Sequence, residues 1–137
     1  MKFQLISVNK KVLDLEKVDS IIVPTQSGEI TILPKHVPLV SSLQPGVLIV
    51  KFQKETQKYA IGGWVIETDG KSVMILADMV EDGTALDMAS IQAKKEELKK
   101  KIEEYKQAWI MDMEEYIELE DEYLKQLVKE KLAGWMR

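Results

Sequence analysis

The sequence contains no cysteine, which excludes a disulfide framework, a thiolate metal site and a thiol nucleophile. It has one histidine, His36, so a metal site built on two histidines is excluded as well. Without a cysteine, one histidine is also too little for a hydrolase triad. No stretch approaches the roughly 18 consecutive apolar residues that a membrane-spanning helix needs. These absences predict a chain with no catalytic constellation and no membrane span.

Basic residues are too few and too dispersed for a nucleic-acid-binding protein. The chain has 19 Lys and Arg against 23 Asp and Glu, a net charge of -4, and Arg137 is its only arginine. Phosphate binding needs a dense basic face, whereas these lysines alternate with carboxylates. The first residues also lack the apolar core of a signal peptide, so we expect a soluble protein that is made where it works.

The first 83 residues have the period of two that is typical of half-buried strands. Asp69-Gly70 predicts a type I′ hairpin turn, which needs positive φ at both central residues. Turn signals at near-regular spacing separate about ten short runs, and this pattern predicts a β-sandwich or a flattened barrel. The apolar runs are Phe3 to Val8, Val12 to Leu15, Val18 to Val23, Ile30 to Leu33, Leu39 to Leu43, Val47 to Phe52, Tyr59 to Ile61, Trp64 to Thr68 and Ser72 to Leu76.

From residue 84 to residue 137 the pattern is helical. Thr84 and Asp87 resemble a capping box at the start of a first helix, and Asp112 and Glu115 resemble a second one. Two antiparallel helices with a turn at residues 109–112, or one long bent helix, fit the pattern; Gly134 marks the end. The first apolar stripe comprises Ile91, Leu98, Ile102, Tyr105 and Trp109, and the second comprises Met113, Tyr116, Ile117, Tyr123, Leu124, Leu127, Val128 and Leu132.

Prolines and glycines cluster between residues 23 and 50, where they repeatedly interrupt β-branched runs. This stretch resembles the signature of the epsilon subunit of F-type ATP synthases, and a Gly-Gly pair followed by Leu-Ala-Asp resembles a second block of that family. The resemblance runs from about residue 3 to about residue 83. The matching segments are Val23-Pro24, Gly28-Glu29, Ile32 to Leu39, Leu43 to Gly46, Gly62-Gly63 and Leu76 to Asp78.

The resemblance implies a non-catalytic central-stalk subunit that links the gamma shaft to the membrane c-ring of a proton-driven ATP synthase. It implies a ten-stranded sandwich, residues 1–83, followed by a two-helix domain, residues 84–137. Glu29 is then the candidate contact to the c-ring loops, and His36 lies on the side that faces gamma. No cofactor is implied. Membrane association is indirect, through the complex, at the cytoplasmic face of a bacterial plasma membrane, and the isolated chain is a monomer.

In many members of this family the helical hairpin also acts as a brake on ATP hydrolysis, and its partner is then the alpha/beta catalytic head. The ATP-binding pattern of the family begins at Leu86-Asp87 but then fails, since Ser90 stands where its arginine should be. Losing this arginine removes a bidentate phosphate contact, so we predict weak or no ATP binding. Residues 114–122 are acidic where basic residues are usual, which predicts a weak or differently built brake.

Other interpretations of the residues remain open at this stage. Asp78, Glu81 and Asp82 fit a solvated boundary loop better than a cation site. Gly62-Gly63 fits a bulge or a close backbone approach. The chain as a whole also fits a stand-alone β-sandwich binding module, although Trp64 is the only tryptophan that such a module would offer. A coiled-coil adaptor would use the helices alone.

Overall fold

The computed structural model describes residues 1–8, 10–107 and 113–135. Ten strands precede a short 3₁₀ turn and two helices, which confirms the predicted fold class. The predictions on Trp109, Asp112 and Arg137 lie outside the described residues. The elements are β1 Lys2–Ser7, β2 Lys10–Leu15, β3 Ser20–Thr25, β4 Gly28–Ile32, β5 Leu39–Ser42, β6 Gly46–Phe52, β7 Glu55–Ile61, β8 Trp64–Thr68, β9 Ser72–Ala77, β10 Val80–Asp82, α1 Met88–Gln107 and α2 Met113–Trp135.

The strands form two five-stranded sheets that enclose one apolar core. The first sheet has the order β2-β1-β9-β8-β5 and the second β10-β7-β6-β3-β4. Alternate side chains of each strand point inward, as the period of two predicts. The fully buried core side chains include Phe3, Leu5, Ile21, Val23, Ile32, Leu48, Val50, Ile61, Ile66 and Ile75. The core therefore lies between the two sheets of a sandwich.

One local prediction about a hairpin turn is corrected. Gly70 has a φ of 93°, but Asp69 does not have positive φ, so the predicted type I′ turn is wrong. Asp69 instead uses its carboxylate, whose Oδ1 accepts from the N–H groups of Lys71 and Ser72 at 2.8 Å each. The turn between β6 and β7 does have positive φ at both central residues, Gln53 and Lys54, although neither of them is glycine.

The first helix begins later than the capping-box pattern indicates. Thr84 lies in the 3₁₀ turn and is itself capped by Asp82. Helix α1 begins at Met88, and the carboxylate of Asp87 accepts from the N–H of Ala89 at 3.2 Å and from the hydroxyl of Ser90 at 2.8 Å. Asp87 is therefore the residue that caps this helix.

The helices form an antiparallel hairpin, so the single bent helix is excluded. Glu130 near the end of α2 accepts from Gln92 at 2.9 Å and from Lys95 at 3.0 Å near the start of α1. Glu97 and Lys101, four residues apart on α1, form an ion pair at 3.2 Å. Helix α2 includes Gly134 and ends at Trp135. Neither described helix is both long enough and apolar enough to cross a membrane.

The end of α2 lies on the outer face of the second sheet. A small apolar cluster joins Leu132 of α2 to Val47 of β6 and Ala60 of β7, and these side chains are buried. The partly buried side chains around this cluster are Ile49, Met79, Leu86 and Val128. Among the described residues, the hairpin thus packs on the second sheet.

Candidate functional site

Glu29 lies at the start of β4, beside a tight turn that the buried Thr25 organises. The hydroxyl of Thr25 donates to the carbonyl of Gly28 at 2.6 Å and accepts from the N–H of Ser27 at 3.2 Å. Gly28 has a φ of 113°, a conformation that a side chain would disfavour. The exposed carboxylate of Glu29 is therefore presented next to a turn of fixed shape.

His36 lies in a loop that also has a defined conformation. The N–H of His36 donates to the carbonyl of Leu33 at 3.1 Å, with Pro34 and Lys35 as the central residues of the turn. Lys35 has a φ of 68°, as the third position of a type II turn requires. Lys35 adopts this left-handed conformation although it is less favourable for a lysine than for a glycine.

The loop around His36 packs against the turn between β8 and β9. The N–H of Lys35 donates to the carbonyl of Gly70 at 3.0 Å, and a Cβ added to Gly70 would lie 2.9 Å from the carbonyl oxygen of His36. The imidazole Nδ1 lies 2.7 Å from the carbonyl of Val37 and donates to it. The position of the half-exposed imidazole is thus set by backbone contacts.

The structure places the two candidate contact residues at opposite ends of the sandwich. Glu29 is at the start of β4, whereas the His36 loop follows the end of the same strand at Ile32. The β5–β6 turn lies at the Glu29 end, where the N–H of Gln44 donates to the carbonyl of Pro24 at 3.1 Å. Glu29 and His36 therefore belong to two separate surfaces and do not form one site.

The outer face of the first sheet carries a short apolar row, and sequence analysis did not single it out. Ile6, Leu76 and Val65 are paired across β1, β9 and β8. Their chain neighbours Leu5, Ile75 and Ile66 are fully buried, so this row of half-buried side chains points away from the core.

The edge strand extends this apolar face. Val40 of β5 pairs with Glu67 of β8 and is 70% exposed, and Val37 beside His36 is 74% exposed. Among the described residues α2 packs on the second sheet, so this row is left for a partner chain. The period of two in β1, β8 and β9 would have identified the row if both faces of each strand had been compared.

The acidic residues before the helices do not form a solvated loop. Asp78 Oδ2 lies 2.8 Å from Lys125 Nζ, and Glu81 Oε1 lies 3.5 Å from Lys129 Nζ. Burial alone would lower the pKa of Lys125, but hydrogen bonds to the carboxylates of Asp78 and Asp121 outweigh it and raise this pKa. Among the described residues, no group of three or more acidic or histidine side chains could hold a metal ion.

Gly62 and Gly63 lie at the point where the chain crosses from the second sheet to the first. They connect β7 to β8, outside any strand. A Cβ on Gly63 would lie 3.0 Å from the carbonyl oxygen of Leu43, so the predicted close backbone approach is confirmed. Gly62 instead faces the side chain of Asp78.

The chain thus forms a β-sandwich with a docked helical hairpin. The sandwich exposes Glu29, the His36 loop and the apolar row through Leu76, and these groups are suited to protein contacts. The profile of the family described as "ATP synthase, Delta/Epsilon chain, beta-sandwich domain" matches residues 1–83. The chain belongs to this family of ATP synthase subunits.

Curated relatives called ATP synthase epsilon chain extend the match. The chain from Acidithiobacillus ferridurans is 32% identical over 119 residues, which cover 87% of this chain and 81% of the relative. The chain from Carboxydothermus hydrogenoformans is 37% identical over 83 residues, 61% of this chain and 62% of the relative's own length. The match to the second relative thus leaves more than a third of that protein outside the alignment.

Solved structures share the whole fold. A chain in the mitochondrial ATP synthase of Euglena gracilis, solved with OSCP, F1 and the c-ring, has a TM-score of 0.76 and 23% identity, covering 98% of this chain and 80% of that one. A chain in the central stalk and c-ring of the Tetrahymena thermophila enzyme has a TM-score of 0.64 and 15% identity, covering 97% and 96%. At these identities the likeness concerns the fold alone.

Proposed function

We propose that this chain is the non-catalytic central-stalk subunit of a proton-driven F-type ATP synthase, which links the gamma shaft to the c-ring. The observation that carries this proposal is the presence of two contact surfaces on one close-packed body. The outer face of the first sheet, which carries the apolar row through Leu76, is one surface, and Glu29 on the edge strand of the second sheet belongs to the other. A close-packed core has low compressibility and is suited to passing torque from one surface to the other.

In this proposal the outer face of the first sheet and His36 contact gamma, and Glu29 contacts the polar loops of the c-ring. The subunit has no active site of its own and needs no cofactor. Because the relatives of the chain are bacterial epsilon chains, we place it at the cytoplasmic face of a plasma membrane, attached through the complex. The division into a sandwich, residues 1–83, and a helical domain, residues 84–137, stays part of this proposal.

Binding measurements with purified gamma and c-ring test the two surfaces separately. Val40→Asp places a charge on the first sheet and should weaken gamma binding by about tenfold or more, because a desolvated carboxylate without a partner opposes an apolar contact. Leu124→Asp is the matched control, since Leu124 is also exposed but lies on α2. Equal loss in both variants would contradict the assignment of the gamma face.

The c-ring contact is tested by reversing charge at each end of the sandwich. Glu29→Lys should reduce proton pumping driven by ATP in the reassembled complex while gamma binding stays normal. Glu55→Lys, an exposed position on β7, is the control and should leave pumping unchanged. Normal pumping with Glu29→Lys would remove Glu29 from the proposed contact.

The hairpin is proposed to be a weak brake that binds ATP poorly or not at all. The carboxylate of Asp87 already accepts hydrogen bonds from Ala89 and Ser90, and the nearby Lys129 forms an ion pair with Glu81. The first half of α2 would present like charge to an acidic partner surface. Its acidic side chains are Glu114, Glu115, Glu118, Glu120, Asp121 and Glu122.

ATP hydrolysis by the cognate catalytic head with gamma tests this part. The full chain and a version cut after Gly83 are compared, with co-elution measured in parallel. Equal hydrolysis with both bound versions is expected. Strong inhibition by the full chain alone would show a working brake and refute the argument from the acidic stretch.

A further inference from the structure

Glu67 places a carboxylate among apolar side chains on the outer face of the first sheet. In β8 it follows the buried Ile66 and precedes the buried Thr68, so its side chain points away from the core. Across the sheet it pairs with Val40 of β5 on one side and with Met74 of β9 on the other. The charge therefore lies between two apolar side chains and not at the border of the face.

No described residue neutralises this carboxylate. Side chains interact across a sheet when they are directly opposite or diagonal to each other. None of these positions around Glu67 holds a lysine, an arginine or a histidine, and its side chain has no ion pair or hydrogen bond with another described residue. The residues at these positions are Pro38, Val40 and Ser42 on the β5 side and Ser72, Met74 and Leu76 on the β9 side.

Asp14 on the same face has the opposite arrangement. It lies on β2 directly opposite Gln4, which points outward because its neighbours Phe3 and Leu5 are buried. Asp14 Oδ2 lies 3.3 Å from the Nζ of Lys11. The carboxylate of Asp14 thus already has a cation within the chain, whereas that of Glu67 has none among the described residues.

A partner that covers this face would remove water from Glu67. Val40 is 70% exposed, and a partner that contacts both Val40 and Met74 also covers the carboxylate between them, since directly opposed side chains in a sheet are only about 5 Å apart. A buried carboxylate without a counter-ion opposes association, and a cation placed opposite offsets this penalty. A wholly apolar partner surface is therefore a poor fit, and an apolar surface with one basic group is a good fit.

We propose that Glu67 selects the partner of this face by forming an ion pair with a lysine or arginine that the partner carries among apolar side chains. The apolar row supplies contact area, and the ion pair fixes the register of the two surfaces, because charge complementarity contributes to specificity more than to raw affinity. The inference rests on the proposed function, in which the partner is gamma, and it adds the chemistry of the gamma surface that faces the sheet.

A series of substitutions at position 67 tests the ion pair through gamma binding. Glu67→Gln keeps the size and one oxygen of the side chain but removes its charge, and Glu67→Leu removes its polarity as well. Both should weaken gamma binding by about tenfold to a hundredfold, mainly through faster dissociation, because the basic group of gamma is then buried without its counter-ion. Surface plasmon resonance measures both rate constants, at concentrations where light scattering shows a monomeric chain.

Asp14→Asn and Asp14→Leu are the matched controls, since they remove an acid from the same face whose carboxylate already pairs with Lys11. They should change gamma binding by less than about threefold. Tighter or unchanged binding by Glu67→Leu would show that gamma presents an apolar surface at this point and would overturn the proposal. Equal losses at positions 14 and 67 would also overturn it, because they would assign the effect to the net charge of the chain.

The same measurements separate this inference from the proposed function. If the unsubstituted chain does not bind gamma, both are wrong. If it binds gamma and Val40→Asp weakens binding while Glu67→Leu does not, the gamma face stands and only the ion pair is wrong. Because Glu67 is exposed, urea unfolding should give both variants a stability close to that of the unsubstituted chain, so that a change in binding reports on the interface.

Discussion

The sandwich and the hairpin are held by different kinds of interaction. The sandwich has one continuous core of aliphatic and aromatic side chains contributed by both sheets. The described helices bury only Ile91, Leu98, Leu132 and Ala133, and ion pairs supply much of what joins them to their surroundings. The comparison indicates that stiffness resides in the sandwich and that the position of the hairpin is conditional.

This difference fits a division of labour within the proposed stalk subunit. Torque requires a body that does not deform, and the close-packed sandwich supplies it. A regulatory element must instead move at low cost, and elements with few buried apolar contacts are the ones that open most easily. Substitutions in the two regions should therefore differ in their effects.

The largest effect is expected in the core of the sandwich. Ile75→Ala should lower the free energy of unfolding by about 2–5 kcal/mol, because it removes buried methyl groups and leaves a cavity. Urea unfolding followed by tryptophan fluorescence and circular dichroism measures this loss. Val40→Ala, at an exposed position, should be nearly neutral; a large loss there would show that the outer face is packed after all.

The next effect concerns the hairpin and alkaline pH. The pKa of Lys125 is raised above its ordinary value of 10.5. A raised pKa means that the stabilising charge is fully present below the ordinary lysine pKa and is lost as pH rises through the higher value. The stability that this pair contributes should therefore be lost only above pH 10.5, as measured by urea unfolding at increasing pH; the same loss in Lys125→Met would assign it to another group.

A smaller and opposite effect is expected in the His36 loop. Lys35→Gly should raise the free energy of unfolding by about 0.5–1 kcal/mol, because glycine adopts the φ of 68° without strain. This gain is what remains after subtracting the larger entropy that glycine has in the unfolded chain. Thermal unfolding measures the change. Lys11→Gly, in β2, should destabilise the protein instead, and a gain in both variants would point to charge rather than conformation.

The smallest effect is an acid dependence of the turn between β8 and β9. Hydrogen bonds from the N–H groups of Lys71 and Ser72 lower the pKa of Asp69 below its ordinary value of 3.8. A lowered pKa stabilises the fold above the ordinary value, and this contribution is lost as pH falls through the lower one. Asp69→Asn should therefore reduce the pH dependence of stability below pH 3.8; an unchanged acid profile would remove Asp69 from this role.

The sequence alone was sufficient for the architecture, because the evidence is local. Alternating apolar residues identified the strands, and the 3.6-residue period identified the helical region, although it left open whether this region forms two helices or one bent helix. Two local predictions were wrong because another side chain satisfies the same backbone groups. In the β8–β9 turn, the carboxylate of Asp69 accepts from two N–H groups, so Asp69 needs no positive φ. At the start of α1, Asp87 caps the helix instead of Thr84.

The choice of the covered sheet and the contacts that hold the hairpin follow from tertiary contacts. Strand alternation shows that a sheet has two faces, but it does not show which sheet α2 covers. The role of Asp78 was equally hidden, since its partner Lys125 is 47 residues away in the chain. A pair this distant leaves no periodic signal, and its strength depends on the space beside Gly62 and on burial, both of which exist only in the folded protein.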